Sequence, residues 1–126
     1  MPREVKYGRF KIMEIRIIKD TISKKELTDI AENQFGDLVK AVVDVKKEII
    51  AIGGELHADE EFLLLQNGSR QENLWGINIY PNNPEENRIE FDSMINVRPS
   101  QNNKSRGVES LDIQRKIRDI VNRLIL

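Results

Sequence analysis

The chain has 126 residues, 39% of them hydrophobic and 33% charged, a length that suits one domain burying roughly two-thirds of the surface its unfolded form exposes. No apolar run approaches the ~18 residues of a membrane span, and the polar start from Met1 to Lys6 is unlike a secretory signal, so a cytoplasmic protein without membrane partners is expected. Cysteine is absent, which excludes disulfides, thiol nucleophiles and thiolate metal sites, and a net charge of −1 with 6% aromatic residues argues against nucleic acid as a partner.

Residues 1–12 show no sustained period and read as a flexible extension ahead of a single domain over 13–126. From Lys11 to Ile18, Met13, Ile15 and Ile17 alternate with Glu14 and Arg16, the period of a half-buried strand. Ser23-Lys24-Lys25-Glu26 is a capping box, and Ile22 with Leu27 forms a hydrophobic staple. Leu27, Ile30, Ala31 and Phe35 then follow at helical spacing up to Gly36. Val39 to Val45 and Ile49 to Ile52, joined by Lys46-Lys47-Glu48, predict a hairpin whose second strand is central or bulged at Gly53-Gly54.

Acids at Asp59, Glu60 and Glu61 ahead of Phe62-Leu63-Leu64-Leu65 suit a short helix, because the positive end of the helix dipole favours them. Trp75, Ile77 and Ile79 alternate as a strand, with Trp75 in the core and Tyr80 on the opposite face beside Asn78. After a turn at Pro81–Asn87, a strand is expected over Arg88–Arg98 with Ile89, Phe91, Ser93, Ile95 and Val97 inward. A polar loop over Pro99–Gly107 precedes a last helix, capped by Ser110, with Ile113, Ile117, Ile120, Val121, Leu124 and Ile125 as its apolar stripe. The order predicts an α+β fold: a mainly antiparallel sheet of about five strands with two helices, plus one short helix, packed on one face.

Three segments are candidates for chemistry. Residues 55–61 hold His57, the only histidine, with four carboxylates and no base. His57, Asp59 and Glu60 make a donor set for a divalent metal, although acids at a helix start need no ligand to explain them. On the expected strand over Arg88–Arg98, Asp92, Asn96 and Arg98 share one face, either a polar cleft or the solvated side of an antiparallel strand. The loop Arg98–Gly107 combines Arg98, Asn102, Ser105 and Arg106 with backbone N–H groups suited to a phosphate or carboxylate, and it is equally the composition of a plain surface loop. It carries no Walker pattern.

The blocks Gly53–Glu61, Leu74–Pro81 and Phe91–Ser100, together with Asn102, Ser105 and Arg106, resemble a family of small prokaryotic proteins known only as a domain of unknown function. The resemblance runs from about Met13 to the C-terminus and implies no activity and no catalytic residue.

Two readings follow. In the first, the protein is a binding module or weak enzyme whose polar cleft takes a small anionic ligand. Arg98 and Arg106 clamp the anion with Asn96, Asn102 and Ser105, while His57 and Asp92 move a proton or His57, Asp59 and Glu60 hold a metal. In the second, it is a structural or interaction protein acting as a homodimer. That reading rests on the Ile-rich hairpin, the C-terminal stripe, and the opposite charge of residues 55–61 and 99–126.

Overall fold

The computed structural model describes residues 14–126. The expected extension at 1–12 and the Lys11–Met13 part of the first strand lie outside the described residues. Among the described residues, eight principal elements follow one another: β1 (Arg16–Ile18), α1 (Lys24–Asn33), β2 (Val39–Asp44), β3 (Ile49–Ile52), α2 (His57–Gln66), β4 (Leu74–Ile79), β5 (Ile89–Glu90) and α3 (Leu111–Leu124). The five strands form one antiparallel sheet in the order β1-β3-β2-β4-β5, so the fold is α+β with β3 internal, as the sequence predicts.

Alternation divides the strands between two apolar layers. Ile18, Val39, Ala41, Val43, Ile50, Ile52, Trp75, Ile77 and Ile79 face α1 and α3, whose Leu27, Ala31, Ile117, Ile120, Val121 and Leu124 complete the larger core. Ile15, Val42, Ala51 and Leu74 face the other way and pack against Leu64 of α2. The short helix therefore covers the opposite face from the other two, and at ten residues it equals α1 in length. The continuous runs Val42-Val43 and Ile49–Ile52 reflect that double coverage, since strands buried on both faces have no polar side.

The predicted caps form. The Ser23 hydroxyl accepts from the Glu26 amide at 3.0 Å, with Ile22 and Leu27 buried beneath, and Ser110 accepts from the Ile113 amide at 3.2 Å. The Glu26 side chain, half of the expected capping box, extends instead to Arg16 at 3.4 Å. The C-terminus closes on the entry to α1, where Ile22 and Leu124, then Leu126 and Ile22, exchange backbone hydrogen bonds of 2.8 and 3.0 Å.

One element differs from expectation. The strand predicted over Arg88–Arg98 stops after Ile89-Glu90 and gives way to 3-10 turns at Met94–Asn96 and Pro99–Gln101. The cause is side-chain competition for the backbone. The Ser93 hydroxyl takes the Ile95 amide, and the Asn96 side chain occupies the edge of β4 where the rest of β5 would have paired. Val97, expected inward, is exposed, and Asp92, Asn96 and Arg98 do not share the face of one strand.

Candidate functional site

Alternation on the sheet face covered by α2 places Lys40, Val42 and Asp44 on β2 beside Asn78, Gly76 and Leu74 on β4. Leu64 seals the apolar end of that face, and His57, at the first position of α2, lies over Gly76. A Cβ at position 76 would meet Ser93 at 2.6 Å and the His57 ring at 3.2 Å, so glycine here is what lets both side chains approach the strand. Past His57 the face turns polar. Lys40, Asn78 and Glu90 stand directly opposite one another across β2, β4 and β5, a spacing at which neighbouring side chains interact.

His57 is nearly buried, and its Nε2–H donates to the Ile77 carbonyl at 2.8 Å. A carbonyl only accepts, so the neutral ring keeps Nδ1 as an acceptor, and Nδ1 has no partner among the described residues. Burial pushes the imidazole pKa below its ordinary value. The Ile77 bond and Asp92 resist, and the charges of Lys40 and Arg106 reinforce the fall. Those three charged groups thus act on the ring.

One turn along α2, Glu60 is fully buried, with Oε2 accepting from the Gly54 amide at 2.9 Å and Oε1 without a partner among the described residues. Desolvation pushes this carboxyl well above the ordinary carboxylate range, against the Gly54 bond and the charge of Lys40, which pull it down. Gly54 is again a position of close approach: a Cβ there would lie 2.9 Å from Cγ of Glu60. Asp59, the third member of the expected metal set, is half-buried in the same turn. His57, Asp59 and Glu60 do not make a metal centre: among the described residues, no three His, Asp or Glu side chains are gathered to hold an ion. Nε2 and Oε2 are already committed to the backbone.

At the other rim of the corner, Arg106 Nε donates to Asp92 Oδ1 at 2.6 Å. Asn78 Nδ2 and the Tyr80 hydroxyl both donate to Glu90 Oε1, at 2.9 and 3.1 Å. Burial, the bond to Glu90, and the charges of Glu90, Asp37 and Asp92 raise the Tyr80 pKa. Lys40 and Arg106 therefore act on His57 and Asp37 and Glu90 on Tyr80, with Asp92 acting on both.

The chain belongs to an uncharacterised family. Residues 16–124 match the model of a protein of unknown function, DUF5674. No curated protein and no solved structure matches the chain.

In this DUF5674 chain, four of the sequence candidates lie apart from the corner or are taken up by the fold. Asn96 is fully buried, with its oxygen on the Gly76 amide and its NH₂ on the carbonyls of Gly76 and Arg106. Arg98 stacks on Trp75 with its carbon centre 4.1 Å from the ring centroid, and its fork donates to the carbonyls of Gln71 and Leu74. Asn102, left-handed with φ 61°, borders a shallow cleft with Gln101, Glu109 and Ser110 beside Trp75, whose ring belongs to the other apolar layer. Ser105 and Lys104 give their amides, each at 2.9 Å, to Glu109 of the same chain. Hydrogen bonds from the Ser105 side chain and these amides hold that carboxyl below its usual range. The loop thus does cradle a carboxylate, and it is the protein's own.

Of the candidates, Asp92 and Arg106 form an ion pair, and the charges of both act on His57. Sequence reasoning missed Lys40 and Glu90 as their neighbours, because their juxtaposition depends on the β2–β4–β5 register. The available signal was polar Asn78 in the otherwise apolar Leu74–Ile79, which marks where the covered face ends.

Proposed function

We propose that this protein is a small binding module of the prokaryotic cytoplasm that holds a phosphate- or carboxylate-bearing ligand in the polar corner at the start of α2. The observation that carries the reading is the pair of cations, Lys40 and Arg106, whose charges act on the neutral His57 ring at the start of a helix whose first turn also holds Asp59 and Glu60. That turn has no capping side chain among the described residues, since its N-cap is Leu56; the Asp59 amide turns back to the Leu56 carbonyl at 3.2 Å, and the His57 and Ala58 N–H groups ahead of it are left for an anion. His57 Nδ1 supplies a proton acceptor beside them, which is also what weak acid–base catalysis needs. No metal is required.

The test is a thermal melt in acetate and in phosphate. A ligand at a hundred times its dissociation constant adds about 2.7 kcal/mol, several degrees in a domain of this size. Stabilisation by either anion that disappears in Lys40→Ala supports the reading; no shift with either anion overturns it.

The alternative, a structural protein acting as a homodimer, loses its apolar grounds, because Ile50, Ile52 and Ile117, Ile120, Val121 and Leu124 of α3 are buried within one chain, and keeps the opposite charge of residues 55–61 and 99–126. It has another support: Phe62 and Leu65 of α2 and Met94 and Val97 beyond β5 are exposed, at 52%, 38%, 65% and 37%. Sedimentation at several concentrations distinguishes it, with Phe62→Glu expected to leave a monomer if that surface joins two copies.

A further inference from the structure

Asn67-Gly68 is the only place in the chain where glycine follows asparagine, and it closes α2. Gly68 is left-handed at φ 97°, its amide donates to the Leu65 carbonyl at 3.1 Å, and the Ser69 amide returns to the Leu64 carbonyl at 3.0 Å. These two bonds are the helix ending that a left-handed glycine permits. The Asn67 side chain completes it, giving Nδ2 to the Leu63 carbonyl at 2.8 Å. Behind the turn, the buried Ser69 hydroxyl donates to Asp44 Oδ2 at 2.6 Å, and Lys47 Nζ reaches the Asn67 carbonyl at 3.4 Å.

The same two residues form a reactive pair. A backbone nitrogen can attack the side-chain carbonyl of a preceding asparagine, and glycine has no Cβ to hinder that attack. Both residues are exposed, so water reaches them. The turn opposes the reaction in three ways. With Asn67 at ψ 17°, the Gly68 nitrogen nearly eclipses the Asn67 nitrogen and lies turned away from Cβ. Its N–H is committed to Leu65, and the carboxamide it would attack is committed to Leu63. Release of the last turn of α2 removes all three obstacles at once.

We propose that Asn67 is a modification site of this chain, deamidating when the last turn of α2 opens. The Gly68 nitrogen, losing its proton to solvent base, bonds to Asn67 Cγ. The Cγ–Nδ2 bond breaks, and that nitrogen takes a proton from solvent and leaves as ammonia. Water then opens the cyclic imide at either carbonyl. One product is aspartate; the other is isoaspartate, whose backbone runs through the side chain and is longer by one carbon. Nothing is oxidised or reduced. Both products end α2 less well. The new carboxylate cannot donate to the Leu63 carbonyl, and it stands at the negative end of the helix dipole. Conversion therefore loosens, from its far end, the helix that begins at His57.

The test incubates the full chain at neutral pH, native and unfolded in guanidinium chloride, and follows aspartate and isoaspartate at Asn67 by peptide mass spectrometry. Hydrogen exchange of the Gly68 and Ser69 amides is measured by NMR on the native chain. Product is expected in both samples, forming more slowly in the native chain by roughly tenfold or more, and by the same factor that slows exchange at Gly68. That factor should fall short of the equilibrium constant for global unfolding. Conversion as fast in the native chain as in the unfolded one overturns the proposal, as does its absence at Asn67 from either sample. A native rate that follows global unfolding instead of Gly68 exchange also overturns it, because the last turn is then not the gate. Asn67→Asp, which reproduces the simpler product, should speed exchange at both amides severalfold; unchanged exchange would overturn the loosening of α2.

Discussion

The side-chain amide of Asn96 lies against the backbone of Gly76 as a paired strand residue would. Its Oδ1 accepts from the Gly76 amide at 2.8 Å and its Nδ2 donates to the Gly76 carbonyl at 2.9 Å. A second bond from Nδ2 to the Arg106 carbonyl ties the following loop to the same edge. One side chain thus replaces the missing half of β5 and fixes the rim on which Asp92 and Arg106 meet.

Asn96→Ala removes these bonds and strands buried backbone groups, each of which costs about 1–3 kcal/mol when left unpaired. A loss of about 3 kcal/mol in urea unfolding is expected. Asn96→Asp should not rescue it, because a carboxylate cannot donate to the Gly76 and Arg106 carbonyls. A loss below about 1 kcal/mol for the alanine variant would mean that water replaces the amide.

Arg98 is held as a fork, on the carbonyls of Gln71 and Leu74 and over the Trp75 ring. Lysine cannot reproduce two diverging donors and a stacked plane. Arg98→Lys and Arg98→Ala should therefore destabilise the fold by similar amounts, about 2–4 kcal/mol, since two buried carbonyls lose their donors. Both should change the fluorescence of Trp75, the single tryptophan. A lysine variant as stable as the parent would show that charge alone suffices.

The larger features of this fold are legible in the sequence because they depend on local periodicity. The caps at Ser23 and Ser110, the α3 stripe and the hairpin all follow from residues within a few positions of one another. The strand expected beyond Glu90 was not legible: its alternation from Ile89 to Val97 is genuine, and only the distant Gly76, bare enough to accept Ser93 and Asn96, diverts the chain. The site divides in the same way. His57, Asp92 and Arg106 stand out as residue types, whereas Lys40 and Glu90 enter only through register with Asn78. Asn96, Arg98 and Ser105 look functional for the reason that makes them structural, an abundance of hydrogen-bonding atoms.

Glu60 makes stability depend on pH. Its folded-state pKa lies above the ordinary value of about 4.3, so the folded protein retains a proton that the unfolded chain gives up. Its contribution is fully present below pH 4.3 and is lost as pH rises towards the folded pKa, at up to about 1.4 kcal/mol per pH unit. Glu60→Gln keeps an acceptor for the Gly54 amide without this titration. It should match the parent near pH 4 and exceed it increasingly above, in urea unfolding from pH 4 to 8. Parallel curves for the two proteins would place the Glu60 carboxyl in contact with water.

His57 reports directly on the charges of the corner, because the chain has no other histidine. Its pKa is held down first by burial and further by Lys40 and Arg106, and is pulled up by Asp92. Titration of its ring protons by NMR should give an upward shift in Lys40→Ala and in Arg106→Ala, and a downward shift in Asp92→Asn. Arg106 and Asp92 are about half-exposed, so these two variants should change stability little. A carboxylate bound beside the ring would raise the same pKa, giving an apparent affinity without calorimetry. If the three variants leave His57 at one common pKa, the charges do not converge on the ring, and the basis for an anion site at the start of α2 is removed.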